Sequence, residues 1–419
     1  MIGGNSPASG GKSPATAFLR HALQGCLGVA LCVSAASCGG SDSPVSGSSA
    51  GSGSVAPADN VVDVAVTGGP SNDSINTLYT TVTVCQPGTS SCQSIDNIQV
   101  DTGSYGLRIL ASALTLSFPV ATLNGTPLVQ CTAFVDGYSW GPVAIADVQI
   151  SGETASSVPL QIIGDSRYPS VPTDCSSAAP MAEDTVASFG ANGILGIGPF
   201  AQDCGDACAQ GVTEPIVYYA CPTESTCAGT TVPVANQVQN PVTLFATDNN
   251  GAIITLPAVA AAGAATVSGS LIFGIDTQSN NASGTETVVP IASSGYLTTI
   301  FNGSTLPESF IDSGSNGYFF NDSSLPTCTE SGFSDFYCPA SPTSLSGEMQ
   351  LASGTSTVDF EVGNAEQISV SYYAFPGLAG TNPTPDSFDW GLPFFFGRRV
   401  AVAIQGYTTS AGTGPYIAY

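Results

Sequence analysis

Positive charge is scarce in this sequence. Its 419 residues hold six lysines and arginines and one histidine against 31 acids, for a net charge of −25. Lys12, Arg20 and His21 sit at the N-terminus, leaving Arg108, Arg167, Arg398 and Arg399 for everything beyond position 21. With no histidine or lysine in that stretch, nucleophile–imidazole pairs, imidazole metal centres and lysine Schiff bases are excluded there. The same shortage excludes nucleic acid as a partner, because phosphate binding needs cations. Charged residues of either sign make up only 9% of the chain, while 42% is hydrophobic. Disorder needs the opposite balance. The polar surface must come from Ser, Thr, Asn, Gln and Gly, a composition suited to sheets with many turns. Chemistry, if present, runs on carboxylates, hydroxyls and thiols, and no cofactor or metal is expected.

Long helical periodicity is also lacking. Apolar and polar residues alternate instead at 61–66 and 78–84, and again around 95–100, 159–163, 253–256, 270–273 and 400–404. Asn-Gly pairs at 124–125, 192–193, 250–251 and 302–303 punctuate these runs. The pattern predicts an all-β protein with a few short helices.

The N-terminus has the grammar of an export signal: positive residues, an apolar stretch from Ala22 to about Ala36 that is too short to span a membrane, then small residues before Cys38. Ala35-Ala36-Ser37-Cys38 resembles a bacterial lipobox, although Ala35 replaces the usual Leu, so plain cleavage is the other reading. The expectation is a signal peptide at 1–37, a lipid on Cys38, and a Gly/Ser-rich tether over 38–58. The protein would be exported as an outer-membrane or cell-surface lipoprotein, touching the membrane only through its anchor.

Thirteen cysteines less Cys26, Cys32 and Cys38 leave ten, an even number that in an exported protein implies disulfides. Close spacing suggests Cys85–Cys92, Cys204–Cys208, Cys221–Cys227 and Cys328–Cys338, with Cys131 and Cys175 left to pair. A thiolate metal site is the rival reading, but no C-x-x-C pair supports it.

One motif occurs twice. Ile98-Gln-Val-Asp-Thr-Gly-Ser-Tyr-Gly-Leu107 and Ser309-Phe-Ile-Asp-Ser-Gly-Ser-Asn-Gly-Tyr318 share Asp-[Thr/Ser]-Gly-Ser-x-Gly after a strand-like run, with Asp101 and Asp312 standing 211 residues apart. That spacing suggests two related lobes. An aspartate, a small hydroxyl residue and a glycine make a tight turn whose amides and hydroxyls hold the carboxylate from behind. Two such turns meeting face to face would put two carboxylates where both cannot ionise, so they share a proton. One then acts as base on water while the other donates to a substrate carbonyl.

On these residues the chain resembles the pepsin-like aspartic proteases, from about residue 60 onward. Asp101-Thr102-Gly103-Ser104 matches the first active-site loop and Asp312-Ser313-Gly314-Ser315 the second. The resemblance implies that Thr102 and Ser313 interlock across the loops, and that Ser104 and Ser315 bond the outer oxygens of the aspartates. Gly193-Ile-Leu-Gly-Ile-Gly198 and the segment from Trp390 to Val400 look like the strands threaded behind the two loops. The implied fold is bilobal, two related lobes of the six-stranded β-barrel type, here expected at 59–235 and 236–419. The implied activity is endopeptidase cleavage of polypeptide by a monomer. The family's flap hairpin carries a tyrosine that closes over substrate, and Tyr138 in Gly137-Tyr-Ser-Trp-Gly141 is its counterpart here, unless Tyr138 and Trp140 simply pack on a sheet.

The chain departs from the family at Arg108, where Trp is usual. A guanidinium beside the dyad would lower carboxylate pKa values. The sequence also resembles an uncharacterised group of bacterial lipoproteins. Two other readings remain open: a catalytically silent peptide- or ligand-binding lipoprotein on the same scaffold, and a carboxylate-pair glycosidase, whose acids would stand farther apart.

Overall fold

The computed structural model describes residues 58–419 apart from positions 180 and 370. The signal segment, Cys38 and most of the tether lie outside the described residues. Strands form where the alternation places them. In Val61–Val66, Val64 and Val66 are buried while Asp63 faces out. The runs at 78–84 and 95–100 fall inside the longer strands Leu78–Cys85 and Cys92–Asp101.

The Asn-Gly pairs divide into two uses. Asn124-Gly125 and Asn302-Gly303 have positive φ at both residues, 52° and 81° in one and 49° and 77° in the other. That is what a two-residue hairpin turn requires, and they join Thr122–Leu123 to Thr126–Ala133 and Leu297–Phe301 to Ser304–Ile311. At 192–193 and 250–251 the glycine instead opens a strand, Gly193–Ile197 or Gly251–Thr255. There the asparagine side chain ties the entry down. Asn250 both donates to Ile275 O and accepts from Ile275 N–H, each at 2.8 Å. Described α-helices are one turn long: Thr173–Ser176, Val186–Phe189 and Asp206–Gln210.

The fold is all-β and bilobal, and each lobe contains the same backbone device. In the first, Cys92–Asp101 runs parallel to Gly193–Ile197, with Asp101 opposite Gly196. Gly193–Ile197 also pairs antiparallel with Tyr105–Leu110, so it threads between the strands that enter and leave the Asp101 loop. In the second, Ser304–Ile311 runs parallel to Asp389–Trp390, which pairs antiparallel with Tyr318–Phe319. The first strand links the lobes, since Val61–Val66 pairs with both Leu78–Cys85 and Val267–Phe273.

A continuous apolar core runs through both lobes. It is aliphatic behind the first loop (Ile98, Val100, Leu195, Ile197) and aromatic behind the second, where Trp390 stacks on Phe388 at 4.1 Å and 22°. All five expected disulfides are present: Cys85–Cys92, Cys131–Cys175, Cys204–Cys208, Cys221–Cys227 and Cys328–Cys338. Such bonds persist in oxidising compartments, which points to an extracellular or periplasmic location. Among the described residues, no helix is long and apolar enough to cross a membrane.

Candidate active site

Each aspartate sits where a strand ends and a glycine allows a tight reversal. Gly103 N–H donates to Asp101 Oδ1 at 2.7 Å, and Ser104 Oγ donates to Asp101 Oδ2 at 2.6 Å. The second loop repeats this, with Gly314 N–H on Asp312 Oδ1 at 2.7 Å and Ser315 Oγ on Asp312 Oδ2 at 2.8 Å. The hydroxyls of the intervening residues interlock. Thr102 Oγ1 donates to Ile311 O at 3.0 Å and accepts from Ser313 N–H at 2.9 Å. Ser313 Oγ donates to Val100 O at 2.9 Å and accepts from Thr102 N–H at 3.1 Å. Each hydroxyl donates once and accepts once across the gap, so the two loops are held as one unit.

This cross-linking brings the carboxyl groups together. They lie within hydrogen-bonding range of each other and are almost fully buried. The glycines are required by space. A Cβ on Gly314 would stand 2.6 Å from Asp101 Oδ1 and 2.9 Å from Asp312 Oδ1, and one on Gly103 would stand 2.7 Å from Asp312 Cγ. Burial, followed by the negative charge of Asp101, lifts the Asp312 carboxyl well above the ordinary range, and Ser315 only partly offsets this. The pair therefore keeps a proton where isolated aspartates would have lost both.

Next to the two loops lies a cavity of about 420 Å³ walled by both lobes, with Thr102, Gly103 and Tyr105, which follow Asp101, on one side and Phe310, Ile311 and Asp389 on the other. The hairpin formed by Thr126–Ala133 and Tyr138–Ile150 contributes Ala133, Phe134 and Val135 to this wall. Tyr138 is not part of that wall. It is partly buried in a separate cluster with Trp140, Cys131 and Tyr219, where Trp140 meets Tyr219 edge-on at 5.1 Å. The sheet explains the placement: Tyr138 pairs with Ala133 at the base of the turn, while residues 134–135 form its tip.

Arg108 has a different role from the one expected. Its guanidinium is buried and spends its donors on Tyr105 O at 2.8 Å, Thr132 Oγ1 at 3.2 Å and Asp203 Oδ2 at 2.9 Å. Asp203 also accepts from Tyr218 Oη at 2.7 Å and from Gln130 Nε2. Burial lifts the Asp203 carboxyl above its ordinary range against the pull of Arg108. The Arg108 charge is thus answered locally, and the Asp312 carboxyl is raised rather than lowered. Asp203 stands 95 positions from Arg108, and no motif marks it.

Sequence reasoning missed Asp389. It lies in the strand behind the Asp312 loop, 3% exposed, and the Asp101 and Asp389 charges act on one another. Its only sequence signal is position, two residues before Gly391, where the other lobe has Ile194 before Gly196. A grouping with metal-like spacing, Cys328, Cys338 and Glu366, has its two sulfurs joined in a disulfide and so offers no thiolate.

Among curated proteins, none matches this chain. Among solved structures, the aspartic proteinase from Irpex lacteus is similar at 15% identity and a TM-score of 0.47, covering 85% of this chain and 96% of its own. A family model matches residues 56–419, a span that takes in the whole of the described region, and the chain belongs to that family, described as "Protein of unknown function (DUF3443)".

Proposed function

We propose that the chain is an exported aspartic-type endopeptidase, in which Asp101 and Asp312 share a proton and activate water against a peptide bond. One observation carries this reading. Two buried carboxyl groups face each other across interlocked loops, each held by one amide and one hydroxyl, and Thr102 and Gly103 of the first loop line a cavity that both lobes wall. That is an acid and a base at hydrogen-bonding distance with nothing else titratable needed. One carboxylate takes a proton from water as the oxygen attacks. The other, still protonated, donates to the carbonyl oxygen.

A polypeptide substrate suits the cavity, which both lobes wall and whose apolar lining is broken by Thr102, Asn382, Glu308 and Asp389. The same reading places the protein as a monomer held at the outer membrane or cell surface through a lipid on Cys38. A binding role without turnover is favoured by one feature: Phe134, not a tyrosine, comes from the hairpin to the cavity wall.

The test is hydrolysis of denatured casein across roughly pH 3–7, with and without pepstatin. Asp101→Asn and Asp312→Asn should each lower kcat by at least about 10³-fold with the melting temperature kept. Wild-type rates in both variants would place the cleavage elsewhere. A wild type that binds pepstatin yet cleaves nothing at any pH would leave the binding role standing.

A further inference from the structure

The two threaded strands differ at one position. Opposite Gln99 the first lobe places Ile194, and opposite Phe310 the second places Asp389. Ile194 is completely buried and packs in an apolar cluster, so the backbone device works with a hydrocarbon at that position. A buried carboxyl is costly there unless something satisfies it. Among the described residues, Asp389 Oδ1 has no hydrogen-bond partner. Ser315 is its polar neighbour, but the single proton of that hydroxyl is directed at Asp312 Oδ2. Among the described residues no cation lines the cavity, whose wall Asp389 shares with Thr102 and Gly103 of the first loop, and the other acid on that wall is the exposed Glu308. Burial lifts the Asp389 carboxyl well above the ordinary range, the state of an acid still lacking its counter-charge.

We propose that Asp389, with the exposed Glu308, forms a subsite on the second-lobe side of the cavity that takes a basic side chain of the bound polypeptide. The proposal rests on the hydrolase reading only for its choice of ligand class. An ammonium or guanidinium entering along this wall supplies the donor that Asp389 Oδ1 lacks and the positive charge that the cavity lacks. The exposed Glu308 meets the cation first, and Asp389 then fixes it beside the dyad. Selectivity arises by difference: an apolar side chain of equal size leaves the buried carboxyl unsatisfied, whereas a basic one satisfies it.

The experiment separates binding from turnover. Two peptides with a non-hydrolysable reduced bond, identical except for lysine or norleucine beside that bond, are titrated calorimetrically at about pH 5 into the wild type, Asp389→Leu, Asp389→Asn and Glu308→Gln. Their cleavable counterparts are assayed in parallel. The expected result is about tenfold tighter binding of the lysine peptide by the wild type, a preference lost or inverted in Asp389→Leu and weakened in Glu308→Gln. Asp389→Asn, which keeps the shape and removes the charge, should also lose the preference if Asp389→Leu fails to fold. A lysine preference with no cleavage of either counterpart would sink the hydrolase reading and leave the subsite standing. Equal or tighter binding of norleucine by the wild type, a preference that survives both Asp389 variants, or no binding of either peptide would overturn the subsite.

Discussion

The two lobes use the same loop and support it differently. Seven residues after its aspartate, the first lobe has Arg108 and the second has Phe319, and both side chains are fully buried. The first holds this position with a polar network of Asp203, Tyr218, Gln130 and Thr132. The second holds it with aromatic contact, Phe319 meeting Phe336 at 6.0 Å, beside the stacked pair Phe320–Phe388 at 4.9 Å. Four of the five disulfides lie before residue 230, and the second lobe keeps only Cys328–Cys338. A lobe with fewer large apolar side chains behind its loop is stapled and ion-paired, while a lobe rich in rings is held by packing. The carboxyl placements are reversed accordingly. The first lobe's extra acid is bound to an arginine, while the second lobe's, Asp389, faces the dyad without one.

The largest effect should come from breaking the first lobe's polar support. Arg108→Leu leaves Asp203 buried with no counter-charge and should cost about 3–5 kcal/mol in urea unfolding. Adding Asp203→Leu should recover part of that loss, because a buried charge with no partner costs more than an apolar pair. If the single variant unfolds like the wild type, the pair does not support this lobe.

Next is the staple that spans the most chain. Cys131–Cys175 closes a separation of 44 residues, and replacing both cysteines with serine should cost about 3 kcal/mol of stability. The same change at Cys204–Cys208, with a separation of 4, should cost clearly less. Equal melting-temperature losses for the two would remove loop length as the reason.

Gly314→Ala probes the dyad directly. The new methyl group must push the two carboxyl groups apart, and kcat should fall about 100-fold while the lobes stay folded.

The smallest effect concerns the seam between the lobes. Burial, then a hydrogen bond that the protonated Glu153 carboxyl donates to Asp248, and the charges of Asp248 and Asp59 raise the pKa of Glu153 to about 7. Its unfolded value is about 4.3, so the folded state holds the proton more tightly. The contribution is full below pH 4.3 and is lost as pH rises through 7. Glu153→Gln should remove about 1–2 kcal/mol of the pH dependence of stability across that window, read as a flatter plot of melting temperature against pH. An unchanged plot would mean that Glu153 titrates normally in the fold.

Much of this molecule could be read in its sequence because the relevant interactions are local. Period-2 alternation gave Val61–Val66 at its true bounds, since each side chain of a strand reports its own face. Close cysteine spacing left few pairings that geometry allows, and one pair followed by elimination. The repeated Asp-[Thr/Ser]-Gly-Ser-x-Gly marked both loops because each loop makes its own turn and its own hydrogen bonds within three residues.

Other features are set only by which distant strands become neighbours. The partner of Arg108 sits 95 positions away, and nothing in Gln-Asp-Cys marks Asp203 as that partner. Tyr138 looked like the residue over the cleft by its order in the chain. The register of its hairpin turns it toward Trp140 and gives the cavity Phe134 and Val135 instead. Asp389 lay in plain sight in Asp-Trp-Gly, but it became a third carboxyl at the dyad only through parallel pairing with a strand 79 residues earlier. A chain determines by itself what each residue can do with its near neighbours. Charge balance in a buried site is a sum over groups brought together by packing, so only the tertiary structure could decide it.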